Sequence, residues 1–205
     1  MRRFIAAIAA VISITGASQA YAQESVPGAG STVVTIIPGG ATFFTKGTDT
    51  KEPKFVNYGL GAGVEVKLSR YVGIEGEVTG ALGITQDVEF DNGTTSLKTA
   101  NLLGYTGNLV ISAANRSSAV PYITGGIGGL TLFDQASLGI SEAQTFLTGN
   151  VGGGIKWFSS TGRWGLSGDY RFLIVRSDED APVFFGRETR YGHRVTGGLL
   201  IKVGR

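Results

Sequence analysis

The chain contains no cysteine and only five prolines and one histidine among its 205 residues. Without cysteine there can be no disulfide bridge, no thiolate metal site and no lipid-anchored lipoprotein. The scarcity of proline, together with the lack of any low-complexity tract, argues against a disordered chain. The apolar run Phe4 to Ile14 is too short for a membrane-spanning helix, which needs about 20 apolar residues.

The N-terminal segment has the features of a secretory signal peptide. Arg2 and Arg3 give a basic start, and the apolar run follows them. Ala20 and Ala22 supply small residues at the positions that signal peptidase reads, with cleavage expected before Gln23. We therefore predict a signal peptide over residues 1–22 and one domain over residues 23–205, a length that fits a single fold.

Neither charge nor composition favours a nucleic-acid partner. The 18 basic residues exceed the 16 acidic ones only because of Arg2 and Arg3, so the predicted mature chain is balanced. No basic stripe is present, and secretion also argues against nucleic-acid binding. Glycine is abundant, with 33 residues, and it occurs inside apolar runs such as 59–64. Such glycines indicate strands whose backbone is closely approached by another group.

Strand-length runs rich in Val, Ile, Leu, Thr and aromatic residues recur along the chain. Eight of them are recognised, at 33–45, 55–67, 72–84, 100–113, 120–133, 145–158, 163–176 and 190–203. The connections alternate between long polar segments and short turns, beginning and ending with a long one. This order is typical of an up-and-down barrel with short periplasmic turns and longer outer loops.

Most runs alternate apolar and polar residues, which gives each strand two chemically different faces. In the run 163–176, for example, Leu166 and Tyr170 share one face and Asp169 lies on the other. The phase of the runs 33–45 and 120–133 is not assigned.

Aromatic residues concentrate toward the two ends of the predicted strands. Membrane barrels carry aromatic residues at both membrane interfaces. Phe44, Phe133 and Phe146 belong to the level nearer the long loops. The predicted aromatic girdle consists of Tyr58, Tyr71, Tyr122, Trp157, Trp164, Phe172 and Tyr191.

The segment Val120–Gly128, with its Pro-Tyr start and Gly-x-Gly end, and the apolar dyad repeat that closes the chain carry a family resemblance. The chain resembles the small outer-membrane β-barrel family, the OmpA-type transmembrane domain. The resemblance implies an all-β, eight-stranded, antiparallel up-and-down transmembrane β-barrel in the outer membrane of a Gram-negative-type bacterium. It also implies contact with lipid and lipopolysaccharide, and insertion by the barrel-assembly machinery. The chain departs from the family in ending Val203-Gly204-Arg205, without the terminal aromatic residue that this machinery reads.

The polar strand faces carry charges of both signs, which we expect to face the lumen. An eight-stranded barrel is just wide enough for side chains to fill it, and buried charges must be paired. A charge network is therefore predicted, which either plugs the lumen or forms a narrow, gated ion path. Its members are Glu65, Lys67, Glu75, Glu77, Lys156, Asp169, Arg171, Arg194 and Lys202.

His193 is the only candidate for catalysis. A barrel deacylase would need a serine beside this histidine and a carboxylate to orient it. Position 195 is valine, and Glu188 lies in a loop. Two acidic clusters, 87–91 and 178–180, fall in outer loops, but the first has Lys98 where a calcium loop needs its bidentate glutamate. We therefore expect no catalytic residue, cofactor or metal.

The sequence favours a non-enzymatic outer-membrane barrel whose loops serve structural or adhesive contact, because loops on a rigid scaffold often carry function. Alternatives are a narrow porin-like channel for ions or small solutes and a lipid-modifying barrel enzyme. A soluble lipocalin-like barrel, with the two strand faces reversed, is the rival for the fold. The sequence identifies no surface ligand.

Overall fold

A computed structural model describes residues 26–45, 53–90, 93–113, 117–177, 181–182, 184–186 and 188–203. The strands are β1 (Thr32–Phe44), β2 (Phe55–Lys67), β3 (Val72–Gly83), β4 (Thr85–Phe90), β5 (Gly93–Lys98), β6 (Leu102–Ser112), β7 (Ala119–Leu132), β8 (Gln144–Phe158), β9 (Trp164–Arg176) and β10 (Arg190–Val203). One short 3₁₀ helix spans Ala136–Leu138. The predicted signal peptide lies outside the described residues and stays a prediction.

Eight of the strands close into one barrel, in the order β1-β10-β9-β8-β7-β6-β3-β2. Every neighbouring pair is antiparallel, and β1 closes the ring by pairing with both β10 and β2. The eight predicted runs correspond to these eight strands, with ends that agree to within two residues. The predicted all-β, eight-stranded antiparallel barrel is confirmed.

The strands β4 and β5 form a separate hairpin within the segment 85–99, which we expected to be an irregular loop. Val88 is fully buried, and Phe90 and Leu97 pack against the core, whereas Asp87 and Glu89 are exposed. The strand β4 thus alternates like the barrel strands, whereas β5 is exposed except at the half-buried Leu97. The hairpin was not predicted because only Ile84 separates β4 from β3.

The outward barrel face is apolar, and the inward face carries the charges. Ile127 is 72% exposed and Ile123 62%, whereas Glu65 is only 1% exposed. A soluble barrel would need the reverse arrangement, because its outer face meets water. The lipocalin-like rival is therefore wrong. Among the residues that the structure describes, no helix is long and apolar enough to cross a membrane.

A β-bulge at Pro38–Gly39 explains why the phase of the first run could not be assigned. The register of β1 shifts by one residue against both of its neighbours at this point. Val33 therefore faces inward before the bulge, and Phe44 faces inward after it, so the alternation changes phase within one strand. The Tyr58 hydroxyl donates a hydrogen bond of 2.7 Å to the carbonyl of Pro38. A side chain at position 39 would collide with this hydroxyl.

Candidate functional site in the barrel lumen

The lumen contains three layers of different chemistry along the barrel axis. At the short-turn end, Val33, Val120, Phe158 and Leu200 form an inner apolar ring, against which Val26 packs. The charged layer lies in the middle. An aromatic layer fills the lumen toward the long connections. Its buried members are Phe44, Phe55, Ala81, Ala100, Leu102, Leu130, Leu132, Ile140, Phe146, Val175, Ala181, Phe184 and Phe185.

In the charged layer, directly opposed residues on neighbouring strands have the same sign. Glu65 on β2 opposes Glu75 on β3, and Arg171 on β9 opposes Arg194 on β10. Like charges in such positions repel one another. They must therefore be neutralised by groups other than the residues directly opposite them.

Arg171 lies at the centre of the charged layer and binds three carboxylates. Its Nη2 atom is 2.8 Å from Glu75 Oε1 and 3.4 Å from Glu77 Oε2, and its Nε atom is 3.0 Å from Asp169 Oδ1. The strands β9 and β3 stand on opposite sides of the ring. The Arg171–Glu75 pair is therefore a strut across the full lumen.

Two further pairs cross the lumen. Arg194 Nη2 is 2.5 Å from Glu77 Oε1, and Lys156 Nζ on β8 is 2.6 Å from Glu65 Oε2 on β2, directly across the ring. Lys67 Nζ binds the other oxygen of Glu65 at 2.9 Å. The ion pairs form two subclusters. In the first, the carboxylate of Glu65 binds two lysines; in the second, three carboxylates bind Arg171 and Arg194. Their charges compensate one another.

The structure corrects the prediction for Tyr122, which points into the lumen and not toward a membrane interface. It is 6% exposed. Its hydroxyl donates a hydrogen bond of 2.5 Å to Asp169, and Lys156 Nζ lies 4.7 Å from the centroid of its ring. Tyr122 thus connects the two subclusters. The even-numbered residues of β7 face inward, but the many glycines of this strand hid that phase in the sequence.

Two buried amides complete the charged layer and were not among the predicted residues. Asn108 donates to Glu75 at 3.1 Å, and Asn150 donates to Asn108 at 2.9 Å. Arg171 Nη1 in turn donates to Asn150 at 3.3 Å. The sequence could have indicated both residues, because they occupy inward-facing positions in the alternation of β6 and β8. A cavity lined by Glu75, Glu77, Asp169 and Arg171 has a volume of about 10 Å³.

The aromatic layer surrounds a second arginine, Arg190, which is fully buried. Its guanidinium carbon lies 5.9, 5.2 and 5.6 Å from the ring centroids of Phe44, Phe55 and Phe185. The same group donates to the carbonyl of Phe185 at 2.8 Å and also to the carbonyl of Pro53. Arg190 therefore ties two long connections to the wall of the barrel.

Phe44 and Phe146 also differ from the expectation, since they are 2% and 3% exposed and belong to the aromatic layer. The inward phase that follows the β1 bulge places Phe44 there. Phe172 faces outward and is half-buried, because its ring stacks on that of Tyr191 with a centroid distance of 5.7 Å. The other predicted girdle residues are exposed on the outward face; they are Tyr58, Tyr71, Trp157, Trp164 and Tyr191.

The remaining candidates lie apart from this network. Lys202 is half-buried at the short-turn end of β10 and forms no ion pair with any described residue. His193 faces outward, and its Nδ1 atom lies 2.8 Å from the Tyr170 hydroxyl. Within the described part of the chain, no serine or carboxylate contacts His193. Asp87 and Glu89 are exposed on the β4–β5 hairpin, while residues 91 and 178–180 lie outside the described residues.

An antiparallel eight-stranded barrel with an apolar exterior and a charged interior defines the class of membrane barrels. The family model of the outer membrane protein beta-barrel domain matches residues 6–191. The chain belongs to this family, which confirms the resemblance seen in the sequence. A comparison with curated proteins finds no match.

Solved structures share this fold at low sequence identity. Neisserial surface protein A aligns with a TM-score of 0.60 at 10% identity, covering 86% of this chain and 99% of that one. The N-terminal barrel domain of Pseudomonas aeruginosa OprF aligns with a TM-score of 0.52 at 13% identity, covering 85% and 100%. Ail of Yersinia pestis, in complex with the heparin analogue sucrose octasulfate, aligns with a TM-score of 0.51 at 14% identity, covering 85% and 99%. These similarities concern the fold alone.

Proposed function

We propose that this chain is a non-enzymatic integral protein of the outer membrane of a Gram-negative bacterium. In this proposal the barrel is a sealed anchor, and the long connections form a contact surface on the cell exterior. The observation that carries the proposal is the set of ion pairs that cross the lumen. The cavity of about 10 Å³ beside the Arg171 pairs has room for about one water molecule. A hydrated ion needs more space.

The aromatic layer supports a sealed lumen independently of the charged layer. Phe184 and Phe185 come from the connection between β9 and β10, and both are buried among strand residues. Phe185 stacks on Phe146 at 5.1 Å, and Phe184 lies 5.0 Å from Phe55. An ion that passed this layer would have to leave water for apolar surroundings, which is costly.

The contact surface at the long-loop end has an ordered element in the β4–β5 hairpin. Gln86 holds this hairpin to β2, because its side chain accepts a hydrogen bond from Val56 N at 3.1 Å and donates to Val56 O at 2.6 Å. Beneath the hairpin, Thr99 donates to the buried Asn57 at 2.7 Å. A fixed platform with an exposed polar face suits structural or adhesive contact.

The ligand class of Ail does not transfer to this surface. The structure of Ail holds a heparin analogue, which is a polyanion. The exposed described residues at the long-loop end of this chain include five acidic side chains, Asp87, Glu89, Asp134, Glu142 and Glu188, and three basic ones, Lys54, Lys98 and Arg176. Because the acidic side chains are in the majority, we propose a contact partner that is neutral or basic and not a polyanion.

Conductance in planar lipid bilayers tests the sealed lumen. The purified barrel, shown to be folded by different gel mobility before and after boiling, is expected to give no conductance steps in KCl. The double variant Glu75→Ala with Arg171→Ala removes the central strut and keeps the charge balanced. Conductance steps from this variant would show that the charged layer seals the lumen. Their absence would assign the seal to the aromatic layer. Steps from the wild-type protein that scale with KCl concentration would favour the porin-like alternative.

A further inference from the structure

The two rims of the barrel differ in charge. Every described acidic residue lies either in the lumen or at the long-loop end. Among the described residues, the rim at the short-turn end has basic side chains and no acidic ones. Its described residues belong to the turns between β2 and β3, β6 and β7, and β8 and β9, to the start of β1 and to the end of β10.

Two arginines on this rim are exposed and form no ion pair with a described residue. Arg70 lies in the turn between β2 and β3, and Arg163 directly precedes β9. These two turns are on opposite sides of the strand ring. The half-buried Lys202 is the backbone neighbour of Arg163, since its N–H donates to the Arg163 carbonyl at 2.9 Å.

Each of these arginines precedes an outward aromatic residue. Tyr71 follows Arg70 and is 53% exposed, and Trp164 follows Arg163 and is 54% exposed. Tyrosine and tryptophan favour the headgroup level of a bilayer, where the ring is partly in lipid and the polar edge meets water. The neighbouring guanidinium groups are thereby held at the depth of the lipid phosphates, which arginine binds through two parallel hydrogen bonds.

We propose that the short-turn rim binds the phosphate groups of anionic phospholipids in the periplasmic leaflet. Arg163 with Trp164 forms one contact point, and Arg70 with Tyr71 forms another on the opposite side. An anionic phospholipid fits this rim for two reasons. Its charge is opposite to that of the arginines, and the rim continues the lipid-facing surface of the barrel. The inference is independent of whether the lumen conducts.

The chain has two tryptophans, and both report on this rim. Trp157 and Trp164 lie on the outward face near the turn between β8 and β9, and they are 46% and 54% exposed. Tryptophan fluorescence is measured in bilayers that contain a low fraction of dibrominated phosphatidylglycerol or, separately, dibrominated phosphatidylcholine. The brominated lipid that associates preferentially with the rim quenches more strongly at an equal fraction.

In the wild-type protein, we expect phosphatidylglycerol to associate with the rim more strongly than phosphatidylcholine. The ratio of the two association constants should be roughly five for each contributing arginine, the effect of one basic residue at an anionic surface. Raising the salt from about 0.1 to 1 M should remove most of this preference, because the screening length falls from about 10 to 3 Å. Equal quenching by both lipids at low salt would overturn the proposal.

Arg163→Gln and Arg176→Gln form a matched pair of variants. Both arginines are exposed, lie at opposite ends of β9 and make no ion pair with a described residue. The preference should fall roughly five-fold in Arg163→Gln and remain unchanged in Arg176→Gln. A preference that survives Arg163→Gln, or is lost equally in both variants, would contradict the assignment to this rim. Neither variant changes the lumen, so the result does not depend on the conductance measurement.

Discussion

The charged layer and the aromatic layer fill the same lumen in different ways. All ionised members of the charged layer belong to barrel strands, and three of their pairs, Lys156–Glu65, Arg171–Glu75 and Arg194–Glu77, join strands that are not neighbours in the sheet. The aromatic layer combines strand residues such as Phe44 and Phe146 with Phe184 and Phe185 from a connection. The barrel register alone positions the first layer, whereas the second also requires the connection to fold inward.

The two layers should therefore respond differently to substitution. A buried charge that loses its partner remains in a medium where it cannot be solvated. An aromatic cluster that loses one contact can repack, at the cost of a partly filled cavity. We expect changes in the charged layer to affect the whole barrel, and changes at Arg190 to act mainly on the connections.

The largest effect is expected for Arg171→Ala, which leaves Glu75, Glu77 and Asp169 without their shared cation. The free energy of unfolding should fall by about 3–5 kcal/mol, as for other broken buried ion pairs. Urea unfolding of the barrel in detergent micelles measures this loss. The control Arg176→Ala, at the exposed end of the same strand, should change stability by less than about 0.5 kcal/mol. Equal losses in both variants would show that the lumen pairs contribute no net stability.

A smaller global effect is expected for Arg190→Met, which keeps an apolar side chain among the phenylalanines. The variant loses the contacts of the guanidinium with three rings and its hydrogen bonds to the carbonyls of Pro53 and Phe185. We expect a loss of about 2–3 kcal/mol.

The location of the change distinguishes Arg190 from Arg171. Amide hydrogen exchange in Arg190→Met should accelerate at residues 184–186 and stay slow at β3. Faster exchange throughout the barrel would mean that the two layers are not separate units.

The strand count and strand ends could be predicted because outward apolar residues alternate regularly along most strands. The phase of β1 could not, since the bulge at Pro38–Gly39 reverses inward and outward positions within the strand. The phase of β7 was obscured by its glycines and by Val120, Leu130 and Leu132, apolar residues that face inward. Period-two reasoning assumes one phase per strand and a polar lumen, and these strands break one assumption each.

The members of the charged layer could be proposed from parity, but their partners could not. Arg171 and Glu75 are far apart in the sequence and on opposite strands of the ring, so their contact depends on how the barrel closes. Tyr122 was placed at a membrane interface because its height along the strand suits an aromatic girdle. The position of a residue along its strand gives its depth in the membrane. Only the phase of the strand shows whether its side chain faces the lipid or the lumen.

The smallest effect is expected for Tyr122→Phe, which keeps the ring beside Lys156 and removes the hydroxyl that binds Asp169. Stability should fall by about 1.5 kcal/mol, the lower end of the range for a hydrogen bond to a charged acceptor. A double-mutant cycle with Asp169→Asn should give a coupling energy of about 1 kcal/mol. An outward tyrosine would contact only lipid at this position, and the cycle would then give no coupling. The cycle therefore tests directly whether Tyr122 faces the lumen and binds Asp169, and Tyr58→Phe, on the outward face, is the control that should show no coupling to Asp169.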